Sequence, residues 1–130
     1  MTIQPAPTAV ILLVDDEPPV REVQRRALEL DGYVVQEAGN GLEGIAAISP
    51  PAQIDLLVAD LNMPGLSGDE MVRQIRTTRP DLPVLYVTGY IDRLMDARPL
   101  WEGEAFLEKP FSLAGLREAV SLLLYGTVRR

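Results

Sequence analysis

Short apolar runs alternate with amphipathic segments along this chain, the pattern of βαβ units winding a parallel sheet. Val10–Val14 is unbroken in apolar residues, and Ile54–Ala59 is broken only by Asp55. Such runs are expected of strands covered by helices on both faces. Between them Val20, Val23, Ala27 and Leu30 recur at helical spacing over about Pro19 to Leu30. Proline in the first turn and Gly32 just past the end suit the two helix termini. Tyr33–Ala38 reads as the second strand. Asn40 with Glu43 has the form of a capping arrangement, opening a helix that Pro50 and Pro51 close. Ser67 with Glu70 is a capping box, opening a helix through Met71, Val72 and Ile75 to about Thr78. Pro83–Val87 gives a fourth strand, Ile91–Leu100 a fourth helix cut short by Pro99, and Ala105–Glu108 a fifth strand. The last helix spans about Leu113–Leu124, with Leu116, Val120 and Leu123 on one face. Five strands and five helices in strict alternation predict one α/β domain over residues 9–125. Residues 1–8, with Pro5 and Pro7, read as a disordered lead-in, and residues 126–130 as a tail.

Polar residues stand where four of these strands run out. Asp15 and Asp16 follow the first, Asp60 ends the third, Thr88 follows the fourth and Lys109 the fifth. In an open parallel sheet the carboxyl ends of the strands share one edge, and ligands bind outside it. Three carboxylates, a hydroxyl and an ammonium are therefore expected in one pocket. Carboxylates so crowded either take up protons more readily or hold a cation among them, and a hard divalent ion such as Mg²⁺ suits oxygen donors. Each residue alone has a plainer reading. Asp15 and Asp16 could favour the positive end of the first helix, and Asp60 could start a turn. Thr88 alone reads as structural, Lys109 as a solvated charge and Phe106 as core. The coincidence of four such accidents on one sheet edge argues against the plain readings.

Composition narrows the chemistry. The 130 residues carry a formal charge of −7, with 47% apolar and 24% charged residues and no Lys/Arg cluster. A nucleic-acid backbone would need a basic face, so direct binding to it is not expected. The chain has no cysteine and no histidine, which excludes disulfides, thiolate chemistry and any phosphohistidine of its own. No apolar run approaches the ~20 residues of a membrane span, and the N-terminus lacks a signal-peptide core. A soluble, cytoplasmic protein is expected.

Four motifs then stand in order: Leu13-Val14-Asp15-Asp16-Glu17, Asp60-Leu61-Asn62-Met63-Pro64-Gly65, Val87-Thr88-Gly89 and Lys109-Pro110-Phe111. Asp16, Asp60, Thr88 and Lys109 are separated by 44, 28 and 21 positions. Over about Val10 to Leu124 the chain resembles the receiver domain of two-component response regulators. The resemblance implies a flavodoxin-like (βα)5 fold with strand order 2-1-3-4-5. It implies Asp60 as the nucleophile that accepts a phosphoryl group from a phosphohistidine on a sensor histidine kinase or histidine phosphotransfer protein. Mg²⁺ would be held by Asp16 directly, by Asp15 mainly through water, by Asp60 and by the Asn62 carbonyl. Lys109 and Thr88 would contact phosphoryl oxygens, and the Lys109–Pro110 bond would be cis. The phosphoaspartate would later hydrolyse, with Asn62 and Tyr90 influencing the rate.

The same resemblance implies a switch. Thr88 would move towards the phosphoryl group and an aromatic ring would rotate into the vacated space. That ring is Phe106 here, where many relatives carry tyrosine, so the switch would rest on packing alone. The face so controlled comprises the fourth helix, fifth strand and fifth helix, with Trp101 at hand, and would bind a downstream protein or a second copy of the chain. The kinase would read helix 1 and neighbouring loops, with Arg21, Gln24, Arg25 and Leu28 as candidates. Only Tyr125–Arg130 follow the last helix, so output is expected through a partner, or the chain is one domain of a longer protein.

Three rival functions fit the sequence less well. A phosphohydrolase of the haloacid-dehalogenase type would have its nucleophile after the first core strand and a second Asp two residues on, where this chain has Asn62. A flavodoxin-type FMN binder would need a hydroxyl-rich phosphate loop where Asp15-Asp16-Glu17 would repel phosphate. A degenerate receiver acting as a static interaction module is disfavoured because every acidic, Thr and Lys position is filled.

Overall fold

The computed structural model describes residues 8–49, 52–88, 104–109 and 111–126. The predicted helix over Ile91–Leu100 falls outside them, as do the expectations attached to Gly89, Tyr90, Trp101 and Pro110. Strands β1 (Val10–Val14), β2 (Val34–Ala38), β3 (Leu56–Asp60), β4 (Val84–Thr88) and β5 (Glu104–Glu108) pair in parallel, in the order β2-β1-β3-β4-β5. This is the expected order. Helices α1 (Pro18–Leu30), α2 (Gly41–Ile48) and α3 (Gly68–Ile75) and a C-terminal helix (Leu113–Tyr125) complete the described elements. No helix among the described residues is long and apolar enough to cross a membrane.

The three central strands are buried almost throughout, because both faces of the sheet are covered. Alternate residues feed two cores. Leu12, Val14, Leu57, Ala59 and Tyr86 pack with α2 and α3, while Ile11, Leu13, Val58, Leu85 and Val87 pack with Leu28, Leu116 and Val120. Each fully buried aliphatic side chain contributes roughly 1.5–3 kcal/mol. The polar break in the third apolar run proves to be a strand-start device. Asp55 lies just before β3, accepting from the Val10 N–H at 2.8 Å while its own N–H donates to the Val10 carbonyl at 2.8 Å.

Caps set the helix ends. Asn40 Oδ1 accepts from the Glu43 N–H at 2.8 Å, and the Ser67–Glu70 capping box is complete. Gly32 and Gly126 take positive φ (89° and 72°) past the ends of α1 and the C-terminal helix, where a side chain would strain the backbone. Helix α3 stops at Ile75, earlier than expected. The Thr77 N–H and hydroxyl both reach the Gln74 carbonyl (3.2 and 2.6 Å), closing the helix in a tighter turn.

The buried stripe of α1 differs from the expected one. Gln24, Ala27 and Leu28 face inward, whereas Val23 and Leu30 are exposed. Packing against both the sheet and the C-terminal helix rotates α1 by about one residue from the stripe read in the sequence. At the amino end of the sheet, the Glu104 carboxylate is fully buried. It pairs with Arg76 at 3.2 Å and accepts from the Tyr86 hydroxyl at 3.3 Å. The Arg76 guanidinium also donates to the carbonyls of Pro80 and Leu82, fastening the end of α3 to the start of β4.

Candidate functional site

At the carboxyl edge the ladder runs one residue beyond three of the strands. Asp15 donates to the Ala38 carbonyl (3.2 Å), Leu61 to Val87 (3.0 Å) and Lys109 to Thr88 (2.8 Å). Backbone pairing therefore places the expected site residues, leaving only their side chains to choose a direction. Carboxylate oxygens of Asp15, Asp16 and Asp60 lie within 4.8 Å of one another. Lys109 Nζ lies 3.4 Å from Asp60 Oδ2. Asp60 Oδ1 accepts from the Asn62 N–H at 3.1 Å, and the Asn62 amide donates to Thr88 Oγ1 at 3.4 Å. Asp15, Asp16, Asp60, Asn62, Thr88 and Lys109 are thus brought to one place.

Asp15 and Asp60 are almost fully buried, whereas Asp16 and Lys109 are half-buried. Burial pushes the Asp60 carboxyl above its ordinary range, the Asn62 N–H and the Lys109 ammonium pull it back, and Asp15 adds to the rise. Asp15 is raised for the same first reason, opposed by the Glu17 N–H that donates to its Oδ1 at 2.9 Å. Two buried acids that resist ionisation beside a third are electrostatically unbalanced, and a cation would relieve them. The donor set is all carboxylate oxygen, with no histidine or cysteine in the chain, which fits a hard ion such as Mg²⁺ and no soft metal.

Phe106 lies on β5. It pairs with Tyr86 in the β4–β5 register and is 38% exposed, so the plain reading of it as core does not hold. The candidates for reading a partner kinase also need correction. Leu28 is fully buried on the inward stripe of α1 and cannot meet a docked protein, whereas Gln24, though almost buried, lines the groove beside that helix. Arg21 and Arg25 are half-buried and tied to Glu37 at 3.1 and 3.3 Å. The surface of α1 nearest the site is instead a groove of about 730 Å³ lined by Glu17, Pro19, Val20, Val23, Lys109 and Phe111, among others.

Gly68 is a residue the sequence reading passed over. A Cβ there would overlap the Asp60 carbonyl oxygen and lie 2.9 Å from Leu61 Cα. Its N–H donates to the Leu61 carbonyl at 3.0 Å. Helix α3 can abut the backbone of Asp60 only because this position has no side chain. The one sequence signal is glycine at the first helical position, where a residue less costly in entropy is usual.

The profile of the response regulator receiver domain family matches residues 11–121. The chain is 37% identical over 119 residues to the sensor kinase CckA of Brucella abortus, covering 90% of this chain and 13% of that protein. It is 40% identical over 118 residues to the response regulator MprA of Mycobacterium ulcerans, covering 90% of this chain and 50% of that protein. The chain thus spans half or less of these relatives. Among solved structures, the response regulator protein TrrA from Thermotoga maritima, in complex with Mg(2+)-BeF, superposes with a TM-score of 0.78 and 32% identity, covering 90% of this chain and all of that one. With its five-stranded parallel sheet in the order 2-1-3-4-5, the chain belongs to the response regulator receiver domain family, the signalling domain of two-component systems.

Proposed function

We propose that residues 9–125 form a phosphoacceptor unit in which Asp60 takes a phosphoryl group from a phosphohistidine on a sensor kinase or phosphotransfer protein. An Asp60 carboxylate oxygen bonds to phosphorus as the bond from phosphorus to the imidazole nitrogen breaks, and the partner keeps its neutral histidine. The observation that carries this reading is the burial of Asp60 between two carboxylates and an ammonium, at the end of the third strand. Phosphoryl transfer asks for little beyond placement and charge neutralisation. Lys109, 3.4 Å from Asp60 Oδ2, is placed to neutralise a phosphoryl oxygen. Thr88, buried at the end of β4, offers a hydroxyl beside it. The Asn62 N–H holds Asp60 Oδ1 and so sets the plane of the nucleophile.

Asp16, Asp15, Asp60 and the Asn62 carbonyl would hold Mg²⁺, which when bound would neutralise charge on the transferring group. Asp15 has Oδ1 engaged by the Glu17 N–H, which supports a contact through water there and a direct one from Asp16. Phosphorylation would draw Thr88 inward and re-seat Phe106, altering the face of β5, the C-terminal helix and the helix expected over Ile91–Leu100 for a downstream protein or a second copy. Hydrolysis of the phosphoaspartate would reset the domain. The setting would be the cytoplasm, and the groove beside α1 would receive the phosphodonor. Beryllofluoride binding with Mg²⁺, followed by ¹⁹F NMR, tests the site. One bound group per chain, lost in Asp60→Asn, is expected; binding that survives the substitution would overturn the assignment.

A further inference from the structure

We propose that Arg21 is a positioning residue for the acidic pair, holding the peptide plane between Asp15 and Asp16 so that both carboxylates converge with Asp60. The inference rests on the reading of Asp15, Asp16 and Asp60 as a Mg²⁺ site. Arg21 Nη1 donates to the Asp15 carbonyl at 2.7 Å, while Nε donates to Glu37 Oε1 at 3.1 Å. The guanidinium is planar, so two fixed points on one fork set its orientation. Glu37 is in turn held in register on β2 opposite Leu13, and its other oxygen lies 3.3 Å from Arg25 Nε. Arg21 is therefore braced against the sheet rather than swinging in solvent.

The consequence lies in the covalent geometry. The Asp15 carbonyl and the Asp16 N–H belong to one rigid peptide unit. Fixing the carbonyl fixes the rotation of that unit, and with it the angle between the two side chains on either side. The rest of Asp15 is already held, its N–H by the Ala38 carbonyl and its Oδ1 by the Glu17 N–H. Arg21 supplies the remaining restraint, on the carbonyl. Nothing on α1 would otherwise restrain this plane, because the helix starts at Pro18 with no side-chain cap and two prolines that lack an N–H.

Charge alone predicts the opposite effect, which makes the inference testable. A guanidinium beside three carboxylates repels a divalent ion, so its removal should tighten Mg²⁺ binding if charge is all that matters. If Arg21 positions the pair, its removal weakens binding. The test is calorimetric titration of the whole chain with MgCl₂, together with thermal unfolding of the metal-free proteins. Arg21→Met, which keeps the stem, is expected to weaken Mg²⁺ binding about tenfold. Arg21→Lys keeps the charge but cannot brace two acceptors in one plane, and should weaken it three- to fivefold. Glu37→Gln, which preserves an oxygen acceptor, should stay within about threefold. Mg²⁺ binding by Arg21→Met that is unchanged or tighter would overturn the proposal. If Arg21→Met does not fold, an unchanged constant in Arg21→Lys would do the same. Failure of the unaltered chain to bind Mg²⁺ would instead strike the reading of the acidic site itself.

Discussion

Replacing Asp60 by asparagine should make the metal-free protein more stable. The substitution keeps shape and keeps an oxygen to accept from the Asn62 N–H, but removes one charge. Oxygens of Asp15 and Asp16 lie within 4.8 Å of an Asp60 oxygen. At an effective dielectric near 20, each such pair repels by about 3.5 kcal/mol. The Lys109 ammonium at 3.4 Å returns about 5 kcal/mol of attraction. The balance is about 2 kcal/mol unfavourable, and solvent around the half-buried Asp16 reduces it to about 1–2 kcal/mol. For a domain of this size that corresponds to an increase in Tm of about 4–8 °C. The assay is thermal unfolding by circular dichroism in EDTA at neutral pH. Added Mg²⁺ should then stabilise the unaltered chain more than the variant, because a bound ion removes the repulsion. A variant with equal or lower Tm in EDTA would refute this electrostatic reasoning.

Acidification gives a second view of the same imbalance. Asp15 and Asp60 hold protons more tightly folded than unfolded, so the repulsive cost falls as pH drops through the window just above the ordinary aspartate value of ~4. The stability advantage of Asp60→Asn should therefore shrink as pH falls from 7 towards 5; an advantage that grows would contradict the sign. Arg76→Met would remove the 3.2 Å ion pair to the buried Glu104 carboxylate and should cost about 3–5 kcal/mol in urea unfolding; a loss below about 1 kcal/mol would show that Arg76 does not sustain it. Gly68→Ala should cost about 1–3 kcal/mol, since backbone atoms of Asp60 and Leu61 must move. It should also weaken beryllofluoride binding, and normal binding at normal stability would show that the contact is relieved without consequence.

The sheet was legible because its order follows from alternation and its central strands from continuous apolar runs. The site was legible for a related reason: Asp15, Asp60, Thr88 and Lys109 each stand where a parallel strand ends, and parallel ends converge. The inward face of α1 was harder to read. The stripes Val20-Val23-Ala27 and Val20-Gln24-Ala27 differ by a single residue of rotation, and hydropathy favours the one that packing against the C-terminal helix rejects. Nor could sequence show that Arg21 reaches both Asp15 and Glu37, since that depends on the β1–β2 register pairing Leu13 with Glu37. Gly68 left only a faint trace, glycine at a first helical position, because its role is a contact with backbone, which no side-chain pattern encodes.

Intact mass after incubation with acetyl phosphate, with and without Mg²⁺ and alongside Asp60→Asn, tests Asp60 as the phosphoacceptor. A single phosphoryl adduct that requires Mg²⁺, maps to the peptide containing Asp60 and is absent from the variant is the expected result. An adduct of equal yield in Asp60→Asn, or one located on another residue, would contradict it.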